Sequence, residues 1–407
     1  MKGNIPRITL LGSNSGRNVG DAAIMSAIAE VTSKEIPGIE IYVPSTNPKF
    51  IDENYGKEYN IKGIDVMPWT GSVRLFGLTT FWCLIKSDAA LICDGIIFGK
   101  KLFNPLFNFL ITLIFVAPFA KLVGCKMVCY SCGIGPFPSK ASRLCAKWVL
   151  NLCDLVIMRE HDSKKLAEEI GVTRPIEVTG DAAFINKVSS DERALEILSA
   201  ESISKEKKLF GINITKYFDA WLEASERVDN KDRFLQSLSD AINAAKEKLG
   251  FDPVVFSTQP MDEEVAFKLA TMISAKVITN SKYLSHDMQA VMRRCDLFMG
   301  MRFHSLILAS AVESPIIGLI YAPKVRGYMR LLECKEQAVE LASINTSNLT
   351  ETIVNSWNNR AEIKAKQKKI VDELKIGAHR ACLTLRDRYF PELRQAPMKS
   401  ENIAANG

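Results

Sequence analysis

Asp296-Leu297-Phe298-Met299-Gly300-Met301-Arg302-Phe303-His304-Ser305-Leu306-Ile307-Leu308-Ala309 is the stretch from which the fold is read. An apolar run of strand length ends at Gly300, a polar corner follows, and an apolar run of helical length continues to Val312. Strands that are apolar throughout, rather than alternately, are buried on both faces; separated by helices, they indicate a parallel sheet covered on both sides. The same text recurs along the chain. Ile8-Thr9-Leu10-Leu11 is a short apolar run ending in Gly12, a polar loop follows, and residues 22–35 repeat apolar side chains at helical spacing. Further strands are expected at 40–43, 89–93, 126–132, 155–159 and 177–179. A second series is expected at 209–215, 253–257, 276–279, 297–299 and 315–320.

Between the two series, at 186–208, the text turns polar and charged, as in Ser204-Lys205-Glu206-Lys207-Lys208. A chain of 407 residues exceeds what one core serves well. The expected architecture is therefore α/β, with two doubly wound, Rossmann-like domains facing a cleft: 1–188, a linker at 189–208, and 209–375. Residues 356–394 read as helix-forming and rich in Lys and Arg, broken near Gly377 and stopped by Pro391. By analogy with such architectures, a helix at 376–395 packs back on the first domain. Residues 396–407 read as a disordered tail.

Composition narrows the function classes. Hydrophobic residues are 47% and charged residues 24%, which excludes a disordered or fibrous chain. The net charge of +6 comes from 52 basic against 46 acidic residues with no basic stripe, which argues against nucleic acid. It suits an anionic small molecule or a phospholipid-linked acceptor equally well. Met1-Lys2-Gly3-Asn4-Ile5-Pro6 lacks the apolar core and cleavage site of a secretory signal, so a cytoplasmic location is expected. The ten cysteines then serve as small core residues. Cys125, Cys129 and Cys132 have the C-x3-C-x2-C spacing of an iron–sulfur site. They fall on a strand, however, which would separate the outer two by roughly 23 Å. Residues 102–120 carry no charge, but Asn104, Pro105, Asn108 and Pro118 interrupt them. They read as a helix buried in the first domain or resting on its surface, with peripheral contact at the inner membrane face kept as a reading.

Four corners carry candidate chemistry. Gly12-Ser13-Asn14-Ser15-Gly16-Arg17-Asn18-Val19-Gly20-Asp21 joins a strand to a helix and matches neither the dinucleotide nor the P-loop spacing. There Asn18 is the better ligand candidate, and Asp21 serves either a ligand or the helix cap. Asp94-Gly95-Ile96-Ile97 follows a strand end and is either a ligand loop or a plain turn. Met158-Arg159-Glu160-His161 turns from strand to helix, and Arg159 either holds an anion or pairs with Glu160 or Asp162 on the surface. His286 reads as structural, at a helix start. The strongest corner is Arg302-Phe303-His304. An arginine fork matches carboxylate or phosphate, and the nearby histidine, one of only four in the chain, either moves protons near neutrality or is simply hydrogen-bonded beside the helix cap. The next strand, 315–320, leads to Tyr321-Ala322-Pro323-Lys324 and should bring Lys324 to the same rim.

Taken in order, Asn18-Val19-Gly20-Asp21, Arg159-Glu160-His161-Asp162-Ser163, Gly180-Asp181-Ala182-Ala183-Phe184, Arg302-Phe303-His304 and Tyr321-Ala322-Pro323-Lys324 resemble the polysaccharide pyruvyltransferase family. The resemblance covers most of the chain. It implies a fold similar to two-domain (GT-B-type) nucleotide-sugar glycosyltransferases, no metal and no cofactor, and phosphoenolpyruvate as donor substrate. It further implies that Arg302, His304, Lys324 and Arg159 contact that donor; from the reading of the corners themselves, Asn18, Asp21 and Tyr321 stand beside them as further substrate-binding candidates. His304 would act as general acid while a pyruvate ketal forms on a sugar of a polysaccharide or lipid-linked glycan of the cell envelope. Where the family often has a run of glycines, this chain has Asp94-Gly95-Ile96-Ile97. The rival readings are a nucleotide-sugar glycosyltransferase and a non-catalytic anion-binding protein at the membrane face.

Overall fold

A computed structural model describes residues 5–66, 77–104, 107–216, 221–222, 224–228 and 230–393. The chain forms two compact units. The first comprises Met1–Asn14, Ile28–Thr179 and Ala378–Gly407; the second comprises Ser15–Ala27 and Gly180–Gly377.

Among the described residues, the first unit holds seven strands: β1 (Arg7–Leu11), β2 (Glu40–Ser45), β3 (Ile61–Asp65), β4 (Ala89–Ile92), β5 (Lys126–Cys132), β6 (Leu155–Met158) and β7 (Ile176–Val178). They are all parallel, in the order β3-β2-β1-β4-β5-β6-β7. Every residue of β4 and β6 is buried, as expected for strands covered on both faces. The second unit holds β8 (Leu209–Asn213), β9 (Asp252–Ser257), β10 (Lys276–Thr279), β11 (Cys295–Gly300), β12 (Ile316–Ile320) and β13 (Ala338–Glu340). These too are parallel, in the order β10-β9-β8-β11-β12-β13. In each sheet the order reverses direction once, between β1 and β4 and between β8 and β11. Open α/β sheets bind ligands beyond the strand carboxyl ends at such a reversal.

Both doubly wound sheets follow the sequence reading, with two added edge strands. β3 and β13 escaped it because edge strands are short and less apolar: of the five residues of β3, two are exposed, two half-buried and only Ile61 is buried. Asp191–Ala200, inside the stretch read as a linker, is a helix capped by the Ser190 hydroxyl accepting from the Arg193 N–H. The expected break at Gly377 is absent, since one helix runs from Arg360 to Tyr389. An interior glycine costs a helix only about 1 kcal/mol, which so long an element tolerates. Residues 396–407 lie outside the described residues.

The first helix, α1 (Val19–Glu35), starts three residues before the expected position. Asn18 is its cap, with Oδ1 accepting from the Gly20 N–H at 3.0 Å. Asp21 therefore lies in the first turn and does not cap it. Residues 126–132 form β5 as expected, and its four final residues, Cys129 to Cys132, are all buried. Cys132 donates to the Ile92 carbonyl, as a core thiol does. Of the 102–120 stretch, the helical part is Leu110–Leu122, partly buried in the first core. Among the described residues, no helix is long and apolar enough to cross a membrane.

Candidate active site

The second unit builds its polar centre at the reversal between β8 and β11. β8 ends in Asn213, fully buried and aligned with Gly300 of β11. Its Oδ1 accepts from the Arg302 N–H at 3.0 Å and from the Ser305 hydroxyl at 2.9 Å. Its Nδ2 donates to the Phe256 carbonyl at 2.9 Å, and its own carbonyl accepts from the Met301 N–H at 3.0 Å. One asparagine thus ties β9, β8 and the corner before the helix Phe303–Ala311. That helix has no side-chain cap of its own, so the corner's geometry depends on Asn213.

Arg302 leaves this corner into a setting that holds its charge. Its Nε donates to Oδ2 of the buried Asp262, whose Oδ1 accepts from the Thr215 hydroxyl at 3.0 Å and the Lys216 N–H at 3.1 Å. Burial alone would lower the guanidinium's pKa, but Asp262's hydrogen bond and charge, with the fields of Tyr321 and Asp21, raise it. The second fork nitrogen, Nη2, is buried and has no hydrogen-bond partner among the described residues. A buried donor left open on a fixed cation is a ready contact for an anion.

His304 stands two residues further on, in the first turn of the helix. Its Nε2 is 3.5 Å from Oδ2 of Asp181, an ion-pair distance longer than a hydrogen bond, and is likewise buried without a hydrogen-bond partner among the described residues. Asp181 is fixed by its other oxygen, which accepts from the Ala183 N–H at 2.9 Å at the start of a short 3-10 helix. The opposite edge of the imidazole lies against Gly20 of α1, where an added Cβ would sit 2.3 Å from Nδ1. α1 reaches this position because its Val19 N–H donates to the Thr258 carbonyl at 3.0 Å.

β12 pairs with β11 through Gly318 and Gly300, so the residues after both strands share one rim. Tyr321 is buried there. Lys324 opens the helix Pro323–Leu331, is exposed, and lies with Nζ 5.5 Å over the Phe303 ring. The structure therefore gathers Arg302, His304, Lys324, Tyr321 and Asp21 in one unit, as a mixed cationic and acid–base cluster. Asn18 caps α1 beside it. The sequence reading gave Asp181 no role and missed Gly20, Asn213 and Asp262 as site builders. Asp181 and Gly20 lay within quoted motifs, while Asn213 and Asp262 carried no local signal.

Arg159 belongs to the first unit. Rather than lying on the surface, it is buried, and its Nε donates to Glu160 at 2.6 Å. The guanidinium lies so close to Gly133 that an added Cβ there would meet Nη2 at 2.3 Å. Glu160 is also bonded by the Ser163 hydroxyl, which accepts from the Ile134 N–H at 3.0 Å. His161 is exposed. Asp94 adopts a left-handed φ of 70°, its carboxylate accepting from the Gly95 N–H, and Ile96 and Ile97 fold into the core. This loop is thus anchored inward where glycines would leave backbone open. His286 sits in the first turn of the helix Ser285–Met292.

The sequence model of the family described as "Polysaccharide pyruvyl transferase" matches residues 18–323. Among curated proteins, the amylovoran biosynthesis protein AmsJ of Erwinia amylovora is 21% identical over 257 residues, 60% of this chain. The match likewise spans only 60% of that protein's length. Among solved structures, the S. aureus MnaA–UDP complex superposes with a TM-score of 0.60 at 12% identity, covering 96% of this chain and 97% of that one. The UDP-GlcNAc 2-epimerase of Neisseria meningitidis, solved with UDP-GlcNAc, gives 0.57 at 14% identity, covering 94% and 99%. At such identities the structural likeness speaks for the two-domain fold.

Proposed function

The chain belongs to the polysaccharide pyruvyl transferase family, and from that premise we propose that it moves a pyruvyl group from phosphoenolpyruvate onto two hydroxyls of one glycan sugar. The observation that carries this reading is the pair of buried, unfilled nitrogens, Arg302 Nη2 and His304 Nε2, two residues apart at one strand end. A planar cation and a proton-transfer group at that spacing suit a small anion whose carbon must be protonated.

In the proposed reaction, Arg302 and Lys324 hold the donor's carboxylate and phosphate. His304 delivers a proton to the methylene carbon, C3, as the C2–C3 π bond opens and C2 becomes electrophilic. A sugar hydroxyl oxygen adds to C2 and loses its proton. The C2–O bond to phosphate breaks, and the second hydroxyl closes the cyclic ketal. Of the two hydroxyl protons, one balances that taken up at C3 and the other leaves with phosphate. The acid contributes about 10² to 10⁴ in rate, and fixed cations facing the developing charge contribute most of the remainder. Asp181 orients the imidazole and is a positioning residue.

Calorimetry with phosphoenolpyruvate on the wild type and Arg302→Ala tests the reading. Binding by the wild type, at least about tenfold weaker in the variant, supports it. Equal affinity in the two proteins, or binding of a UDP-sugar with none of phosphoenolpyruvate, overturns it.

A further inference from the structure

The first unit exposes large apolar side chains on three neighbouring helices, Leu78–Lys86, Leu110–Leu122 and Lys140–Leu152. The first packs on the second through the edge-on Phe81–Phe119 contact at 4.8 Å, and the second packs on the third. Each presents one stripe. On the first helix, Leu78, Trp82 and Ile85 are exposed at spacings of four and three. The second shows Phe115 and Leu122, 67% and 83% exposed, with Ile111 and Pro118 half-buried in line with them. Leu144 and Trp148 lie one turn apart on the third. Apart from Ile5 and Phe103, these account for the large exposed apolar residues of this unit among the described residues. Exposed apolar stripes repeated on three helices that pack on one another normally have an occupant.

Charge identifies the occupant. The three helices carry Lys86, Lys121, Lys140, Arg143 and Lys147, all exposed, and not one Asp or Glu. Beside them, Asp154 follows the third helix and lies 3.9 Å from Lys121. Aromatic and aliphatic tips among lysines without acids match a bilayer interface, where side chains enter the acyl boundary and cations meet anionic headgroups. At 13 residues, about 20 Å, the helix Leu110–Leu122 is too short to span hydrocarbon and long enough to rest on it. We propose that this three-helix face docks the protein onto an anionic lipid bilayer. The proposal stands independently of the pyruvyl-transfer reading.

Vesicle flotation of the full chain tests it, with phosphatidylcholine vesicles against phosphatidylcholine–phosphatidylglycerol vesicles. The expected result is flotation with the anionic vesicles, weakened by salt and lost in Phe115→Asp/Leu122→Asp. Lys121→Gln and Lys147→Gln should each weaken it about fivefold. Phe267→Asp, an exposed apolar site of the second unit, should leave it unchanged. Circular dichroism melting identical to wild type ensures that lost binding is not lost folding. Absence of flotation, flotation insensitive to lipid charge, or a dimer in solution dissolved by Phe115→Asp/Leu122→Asp would each overturn the proposal.

Discussion

Gly20 packs directly against His304: a β-carbon on Gly20 would sit 2.3 Å from Nδ1 of the imidazole and 2.4 Å from the His304 Cβ. This contact turns an unremarkable helix residue into a gauge of the candidate site. Gly20 lies in the first turn of α1, and the overlap reaches the backbone-anchored Cβ of His304 as well as its ring, so Gly20→Ala must displace the imidazole at a cost of about 1 to 3 kcal/mol. We expect phosphate release from phosphoenolpyruvate to fall roughly 100-fold, with a lowered melting temperature and an unchanged circular dichroism spectrum below it. Retained turnover would place His304 outside the chemistry.

Asp181 meets the same imidazole from its other edge, at 3.5 Å from Nε2. Asp181→Asn keeps an oxygen for the Ala183 N–H and removes the charge. Its expected signature is a kcat lowered about 100-fold with KM for phosphoenolpyruvate nearly unchanged, because positioning is lost while anion binding is kept. A rise in KM alone would assign Asp181 to substrate binding instead.

Asp262 is the buried counter-ion of Arg302 and also accepts from Thr215 and Lys216. Removing one partner of a buried pair strands the other, so Asp262→Ala should cost roughly 3 kcal/mol in urea unfolding and weaken donor binding. A loss below about 1 kcal/mol would mean that Arg302 turns to solvent without it.

In the first unit, Arg7 Nε donates to Glu40 at 2.6 Å, and this hydrogen bond holds the Glu40 carboxyl below its ordinary value of 4.5. A lowered carboxyl stabilises the fold when ionised. Its contribution is complete above the ordinary value and disappears as pH falls through the lowered one. Glu40→Gln should be less stable by about 1 kcal/mol at neutral pH, and the gap should close in acid. Melting curves of both proteins from pH 7 down to pH 3 check the sign.

The ten cysteines should differ sharply in reactivity. Cys145 is half-buried; the other nine are buried, and burial pushes the Cys83 and Cys382 thiols up to about 12. Titration of the native protein with a thiol-reactive disulfide at pH 8 should label Cys145 first and the rest only on unfolding. Early labelling of Cys129 or Cys132 would contradict the buried β5.

The periodic text between Ile8 and Ile320 determined the repeated strand and helix units, because a strand covered on both faces must be apolar along its whole length. Short edge strands such as Ala338–Glu340 carry no such demand, and so they were silent. The corner Arg302-Phe303-His304 stood out in the text as a fork of donors and an imidazole where a strand turns into a helix, although a histidine hydrogen-bonded near a helix cap reads the same way.

Tertiary structure alone decided which groups surround that corner. The reversal of strand order between β8 and β11 sets Asn213 beside Arg302, across 89 residues of chain. The register of β12 sets Tyr321 and Lys324 on the same rim. The early start of α1 sets Gly20 against His304. None of these pairings is local, so no window of sequence encodes them. The exposed stripes of the three basic helices are of the same kind. Each is readable as an apolar segment, but only packing revealed which side chains were left outside the core.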